Sequence, residues 1–165
     1  MSNAKSEPKV VHSTFVVERS FHQPPAVVFD ALSDPAKVRL WYTGEKENIV
    51  EFTLDFREGG IERIIYKMGS DTPFPGTSLE NEGRYQEIIP NERIITASTM
   101  KLGGQRISAS QITFELLPTA KGTDLICTHQ GAFFPNSGGP EIRKAGWNTL
   151  LDKLGKVLST QGVSV

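Results

Sequence analysis

The clearest periodicity in the chain is strict alternation. Val50-Glu51-Phe52-Thr53-Leu54-Asp55-Phe56 puts Val50, Phe52, Leu54 and Phe56 on one face of a strand and polar residues on the other. Arg57-Glu58-Gly59-Gly60 then offers a turn with two residues free to take positive φ, and Ile61 to Met68 returns as the second strand of a hairpin. Upstream, Ser13 to Ser20 is β-branched and aromatic and stops at Pro24-Pro25. Val28, Phe29 and Leu32 follow at helical spacing. Asp34-Pro35 ends that helix and starts a second short one carrying Val38, Leu40 and Trp41. Gly69 to Ser78, with Pro73 and Pro75 around Phe74, is predicted to be a loop, either a solvated surface insertion or one whose exposed aromatic closes a pocket mouth or marks a protein contact.

Glu82 to Ile89 and Arg93 to Met100 pattern as strands joined by Pro90-Asn91, a pair suited to the centre of a type I turn. Gly103-Gly104 turns into a long strand, Arg106 to Leu117, and Lys121-Gly122 into the last one, Thr123 to Phe133. After Phe133 the period changes. Ser137 can cap, Pro140 starts, and Ile142, Trp147, Leu150, Leu151, Leu154, Val157 and Leu158 form an apolar stripe that ends before Gly162. The pattern predicts an α+β fold: a curved antiparallel sheet of about seven strands around one long C-terminal helix, with two short helices after the first strand. Residues 1–12 are expected to form a flexible N-terminal segment and residues 13–161 a single domain. A helix about 10–12 Å across is narrower than such a sheet, so space is expected beside it.

Composition narrows the function classes. In 165 residues, 18 basic side chains against 19 acidic ones leave a net charge of -1, so no overall field would recruit nucleic acid. Cys127 is the single cysteine, which excludes an intramolecular disulfide and a repeated CxxC zinc site. No run of eighteen apolar residues predicts a membrane span, and Met1 to Val10 lacks the apolar core of a signal peptide, so a cytoplasmic location is expected.

Candidate chemistry is sparse. His12, His22 and His129 are scattered and predict no metal site. The paired glycines lack phosphate-cradle spacing and no GxSxG elbow occurs, so no cofactor and no catalytic residue are expected. Cys127 and His129 share a strand face with Leu125. Two residues apart on a strand is roughly 6–7 Å, too far for a nucleophile–base hydrogen bond, so a buried thiol and a hydrogen-bonded histidine are expected instead. If Ile64 and Tyr66 point inward, Glu62 does too, whereas a one-residue slip sends Glu62 and Tyr66 to solvent. An enzyme would need Glu62, Tyr66 and His129 to converge.

The run Phe21-His22-Gln23-Pro24-Pro25-Ala26-Val27-Val28-Phe29-Asp30-Ala31-Leu32 with Asp34-Pro35 and Trp41, the Gly59-Gly60 turn, and Gly83 ahead of Ile88-Ile89-Pro90-Asn91-Glu92-Arg93-Ile94 resemble the START-like (SRPBCC) helix-grip superfamily. Ile112-Thr113-Phe114-Glu115-Leu116, Gly122-Thr123-Asp124-Leu125, Thr128-His129 and Gly146-Trp147-Asn148-Thr149-Leu150-Leu151-Asp152-Lys153-Leu154 extend the likeness over residues 13–160. More narrowly, the chain resembles bacterial members related to the C-terminal domain of the heat-shock protein 90 ATPase activator. The resemblance implies a cavity under the long helix that binds a small, largely apolar molecule. With the alternation, it nominates Phe52, Phe56, Glu62, Tyr66, Phe114, His129, Trp147 and Leu151 as lining. The alternative it implies is a co-chaperone-like interaction domain with a chaperone partner, using its loops or outer sheet face. An exposed edge strand or that outer face would also serve homodimerisation.

Overall fold

Alternation and turn chemistry generate seven strands and three helices in the computed structural model, which describes residues 6–43, 48–70, 72 and 74–161. Residues 1–5, Pro73 of the Gly69 to Ser78 stretch, and Gly162 lie outside the described residues. In chain order the elements are β1 (Val11–Phe21), α1 (Pro25–Ser33), α2 (Pro35–Tyr42), β2 (Ile49–Leu54), β3 (Ile61–Lys67), β4 (Ser78–Ile89), β5 (Arg93–Leu102), β6 (Gln105–Thr119), β7 (Gly122–Phe133) and α3 (Gly139–Gln161). The strands form one antiparallel sheet in the order β1-β7-β6-β5-β4-β3-β2. Consecutive strands are neighbours from β2 to β7, and β1 closes onto β7.

Local chemistry explains the boundaries. Asp34 caps α2, its carboxylate accepting from the Ala36 N–H at 2.9 Å. Ser137 accepts from the Gly139 N–H at 3.0 Å where α3 begins. Gly103 and Gly104 take φ of 59° and 82°, as a two-residue hairpin turn between paired Leu102 and Gln105 demands. Gly60 is needed for a different reason: a Cβ there would stand 2.0 Å from the Asp55 carbonyl oxygen.

Several expectations are corrected. β1 begins at Val11, which pairs with Phe133, so Val11 and His12 belong to the sheet rather than to the N-terminal segment. β4 starts at Ser78 because Leu79 and Asn81 find partners in both β3 and β5. Asn91 has φ of 64°, the sign that a type II turn requires at its third position, so Pro90-Asn91 does not make a type I turn. Val50 falls at a register shift in β2 and is 62% exposed, away from the face shared by Phe52 and Leu54. Ile142 leaves the helical stripe and is 64% exposed.

The core lies to one side of the sheet. Leu151, Leu154 and Leu158 of α3 are fully buried against Val28, Ala31 and Leu32 of α1, Val38 and Trp41 of α2, and Val17, Leu116, Leu125 and Cys127 of the sheet. Each such leucine contributes roughly 1.5–3 kcal/mol through burial. Trp41 is tied in by its indole N–H, which donates to the Ala31 carbonyl at 2.8 Å. Among the described residues, α3 brings its Cα atoms within 8 Å of β1, β7, α1 and α2, but not of β2 to β6. The α3 backbone therefore lies closest to β1 and β7, and it reaches β6 through side chains such as Trp147 and Arg143.

Candidate functional site

What lines the rest of the concave face follows from strand register. Leu54, Glu62, Gly83, Ser98, Ser110, Gly131 and Ser13 lie opposite one another in a single row across the seven strands. Residues directly opposite share a face, and this row shares the face of Ile64, Tyr85 and His129 that packs inward. From β4 to β7 the row carries nothing larger than serine. At Gly131 the gap is taken by the Phe133 ring, which a Cβ would meet at 2.8 Å. At Gly83 a Cβ would likewise meet the Thr96 methyl at 2.8 Å, so it is the small side chains of Ser98 and Ser110 that leave the row low, as a trough in the sheet.

Large side chains rim this trough. Phe114 meets Trp147 of α3 edge-on, with centroids 5.6 Å apart. Phe56 packs against Phe29 and Tyr85 at 5.7 and 5.0 Å, and the Arg39 guanidinium lies 5.7 Å from the centroid of Phe52. Phe52, Leu54, Phe56, Tyr66, Phe114 and Trp147 are only half-buried although they face the concave side. Leu151 lies deeper, fully buried within the core.

His129 is 1% exposed and both ring nitrogens are engaged. The Trp147 indole N–H donates to Nδ1 at 3.0 Å, so Nδ1 carries a lone pair. The proton of the neutral ring is then on Nε2, which donates to the Ser110 hydroxyl at 2.8 Å. Burial, reinforced by the Arg143 charge, pulls the imidazole down to about 3. Phe15 and Phe133 stack on the ring at 4.9 and 5.7 Å. Cys127 is also fully buried, and burial pushes its thiol up to about 12. Neither group is poised for nucleophilic chemistry.

Glu62 does point inward, since Ile64 two residues on is fully buried. Burial raises its carboxyl to about 7, an effect opposed by the Tyr85 hydroxyl, and Asn81 donates to it at 3.4 Å. Its partners are thus Tyr85 and Asn81, while those of His129 are Ser110 and Trp147. Tyr42 and Tyr66 are both shifted upward by burial and lie within electrostatic reach of each other and of Arg143. Arg143, on the first turns of α3, donates from Nη2 to the Ser108 hydroxyl at 2.8 Å and sits 5.5 Å from the Phe133 centroid. Arg143, Tyr42, Tyr85, Gly83, Ser98 and Ser110 were absent from the residues expected to line the cavity. Arg143 had a legible signal, since it precedes Trp147 by four and Leu151 by eight and so lies on the helical stripe.

A separate open cleft of about 360 Å³ at the β6–β7 turn is lined by Phe21, His22, Lys121 and neighbours, with none of the groups above. It holds no comparable chemistry.

This arrangement can be set beside known proteins. The family model described as Activator of Hsp90 ATPase homolog 1-like protein matches residues 22–159. The chain belongs to this family. Solved structures share its fold. A Rhizobium leguminosarum protein is 35% identical, with a TM-score of 0.83, covering 92% of this chain and 97% of that one. Mll3558 from Rhizobium loti is 38% identical, with a TM-score of 0.81 and coverage of 90% and 98%. CV1439 from Chromobacterium violaceum is 26% identical, with a TM-score of 0.69 and coverage of 88% and 96%. No curated protein matches the chain. Among the described residues, no helix of this Hsp90 activator-like chain is long and apolar enough to cross a membrane.

Proposed function

We propose that this Hsp90 activator-like protein binds a small, largely apolar molecule in the trough between strands β3 to β6 and the N-terminal half of α3. The supporting observation is the pair of small residues, Ser98 and Ser110, side by side on a face where a filled core would need large side chains. Half-buried Phe52, Phe114 and Trp147 around it supply apolar and aromatic surface, Glu62 and Tyr66 supply the few polar groups that orient a ligand in such sites, and buried His129 holds Trp147 and Ser110 in place beneath them. The reaction chemistry of an enzyme finds less support, because His129 spends both nitrogens on Trp147 and Ser110.

Blocking the trough tests the reading. Ser98→Phe places a ring across it without touching the buried leucines of α3. Titration with the uncharged fluorophore N-phenyl-1-naphthylamine should show saturable binding to the wild-type protein and at least a tenfold loss in the variant, with circular dichroism unchanged. Equal binding to both proteins, or none to the wild type and no thermal shift with other apolar compounds, contradicts it. In the second case the family's chaperone-related reading takes its place.

A further inference from the structure

Arg143 is a cation facing inward, with no acidic counterpart among the described residues. It is half-buried on α3, and its contacts are the Ser108 hydroxyl at 2.8 Å and the Phe133 ring. None of the ion pairs among the described residues includes it. Glu62 is the one carboxyl that β2 to β7 place on the concave face, and it is turned to Tyr85 and Asn81. A guanidinium has five N–H donors and no acceptor, and taking it out of water without an anion is costly. The groups in electrostatic reach of it, Tyr42 and Tyr66, keep their phenolic protons because burial raises both. Ser108 is 1% exposed and accepts from Arg143. The neighbourhood is therefore rich in donors, positively charged, and next to the aromatic wall of Phe114 and Trp147.

We propose that Arg143 is the anchor for the carboxylate of an amphipathic ligand whose apolar body lies in the trough, so that the protein selects organic acids over neutral molecules of the same shape. This deepens the ligand-binding reading and rests on it. A carboxylate on Arg143 would gain charge-assisted hydrogen bonds in a partly desolvated site, and the planar guanidinium matches both of its oxygens.

The test compares 2-naphthoate with its near-isosteric neutral ketone 2-acetonaphthone by isothermal titration calorimetry. Wild-type protein should bind the acid about tenfold or more tightly than the ketone, a margin typical of hydrogen bonds to charged groups. Arg143→Gln should abolish that preference by weakening the acid about tenfold and the ketone far less, and Arg143→Lys should restore part of it. If Arg143→Gln folds poorly, the wild-type preference and the lysine variant still decide. Equal wild-type affinities for acid and ketone, or an Arg143→Gln variant that weakens both alike, overturn the anchor. Ketone binding without acid preference refutes the anchor alone, whereas absence of binding by either compound counts against the ligand-binding reading itself.

Discussion

Trp147 sets the tautomer of His129 because an indole N–H can only donate, and this one is aimed at Nδ1. Trp147→Phe removes that donor and leaves a buried acceptor unpaired. Stability should fall by about 1–3 kcal/mol, which chemical denaturation would read, and two-dimensional NMR of the ring nitrogens should show the His129 tautomer no longer held with its proton on Nε2. An unchanged tautomer and stability would mean that Trp147 does not govern the ring.

Two buried acids and bases pull pH dependence in opposite directions. For His129, lowered from 6.5 to about 3, the folded state resists the proton that the unfolded chain accepts, so its contribution is full above 6.5 and lost as pH falls toward 3. For Glu62, raised from 4.5 to about 7, the contribution is full below 4.5 and lost as pH rises through 7. Glu62→Gln removes only the second effect. Its melting temperature relative to wild type should therefore be higher at pH 8 than at pH 5, and an equal difference at both values would contradict the inward carboxyl. Residue identities were legible in uneven ways. Cys127 and His129 follow from counting along β7, while the face of Glu62 turned on a register that Ile61, Ile64 and Ile65 leave ambiguous.

At the scale of elements, turns carry much of the specification. Gly60 sits where the chain leaves the β2 hairpin turn, its carbonyl accepting from the Tyr85 N–H at 3.1 Å. A Cβ there would press on the Asp55 carbonyl, backbone that cannot swing aside. Gly60→Ala should cost at least 3 kcal/mol, whereas Gly104→Ala, with open space but positive φ, should cost about 1 kcal/mol. For a chain of this size those correspond to falls in melting temperature of roughly 6–12 °C and 2–4 °C. Equal effects would mean that conformational freedom rather than space matters at Gly60. The order of strands and helices was readable from period and turn residues. The bulge that exposes Val50 and the positive φ of Asn91 were not, because both depend on pairing between strands rather than on local pattern.

In the molecule as a whole, the core and the proposed site divide the concave face between them. Leu154, fully buried with its neighbours on α1 and β7, belongs to the first, and Leu154→Ala should destabilise by about 2–5 kcal/mol without altering ligand preference. Ser98 belongs to the second. The sequence showed that one helix is too narrow for seven strands, but a trough of small residues becomes visible only once four pairings align Glu62, Gly83, Ser98, Ser110 and Gly131 in a row. The most direct test of that trough as a ligand site is native mass spectrometry of freshly purified protein, compared with its denatured mass. The account predicts an added small-molecule mass on the native protein that is lost on denaturation, or is restored by adding an apolar acid and abolished by Ser98→Phe. A bare native mass that no apolar compound changes would contradict it.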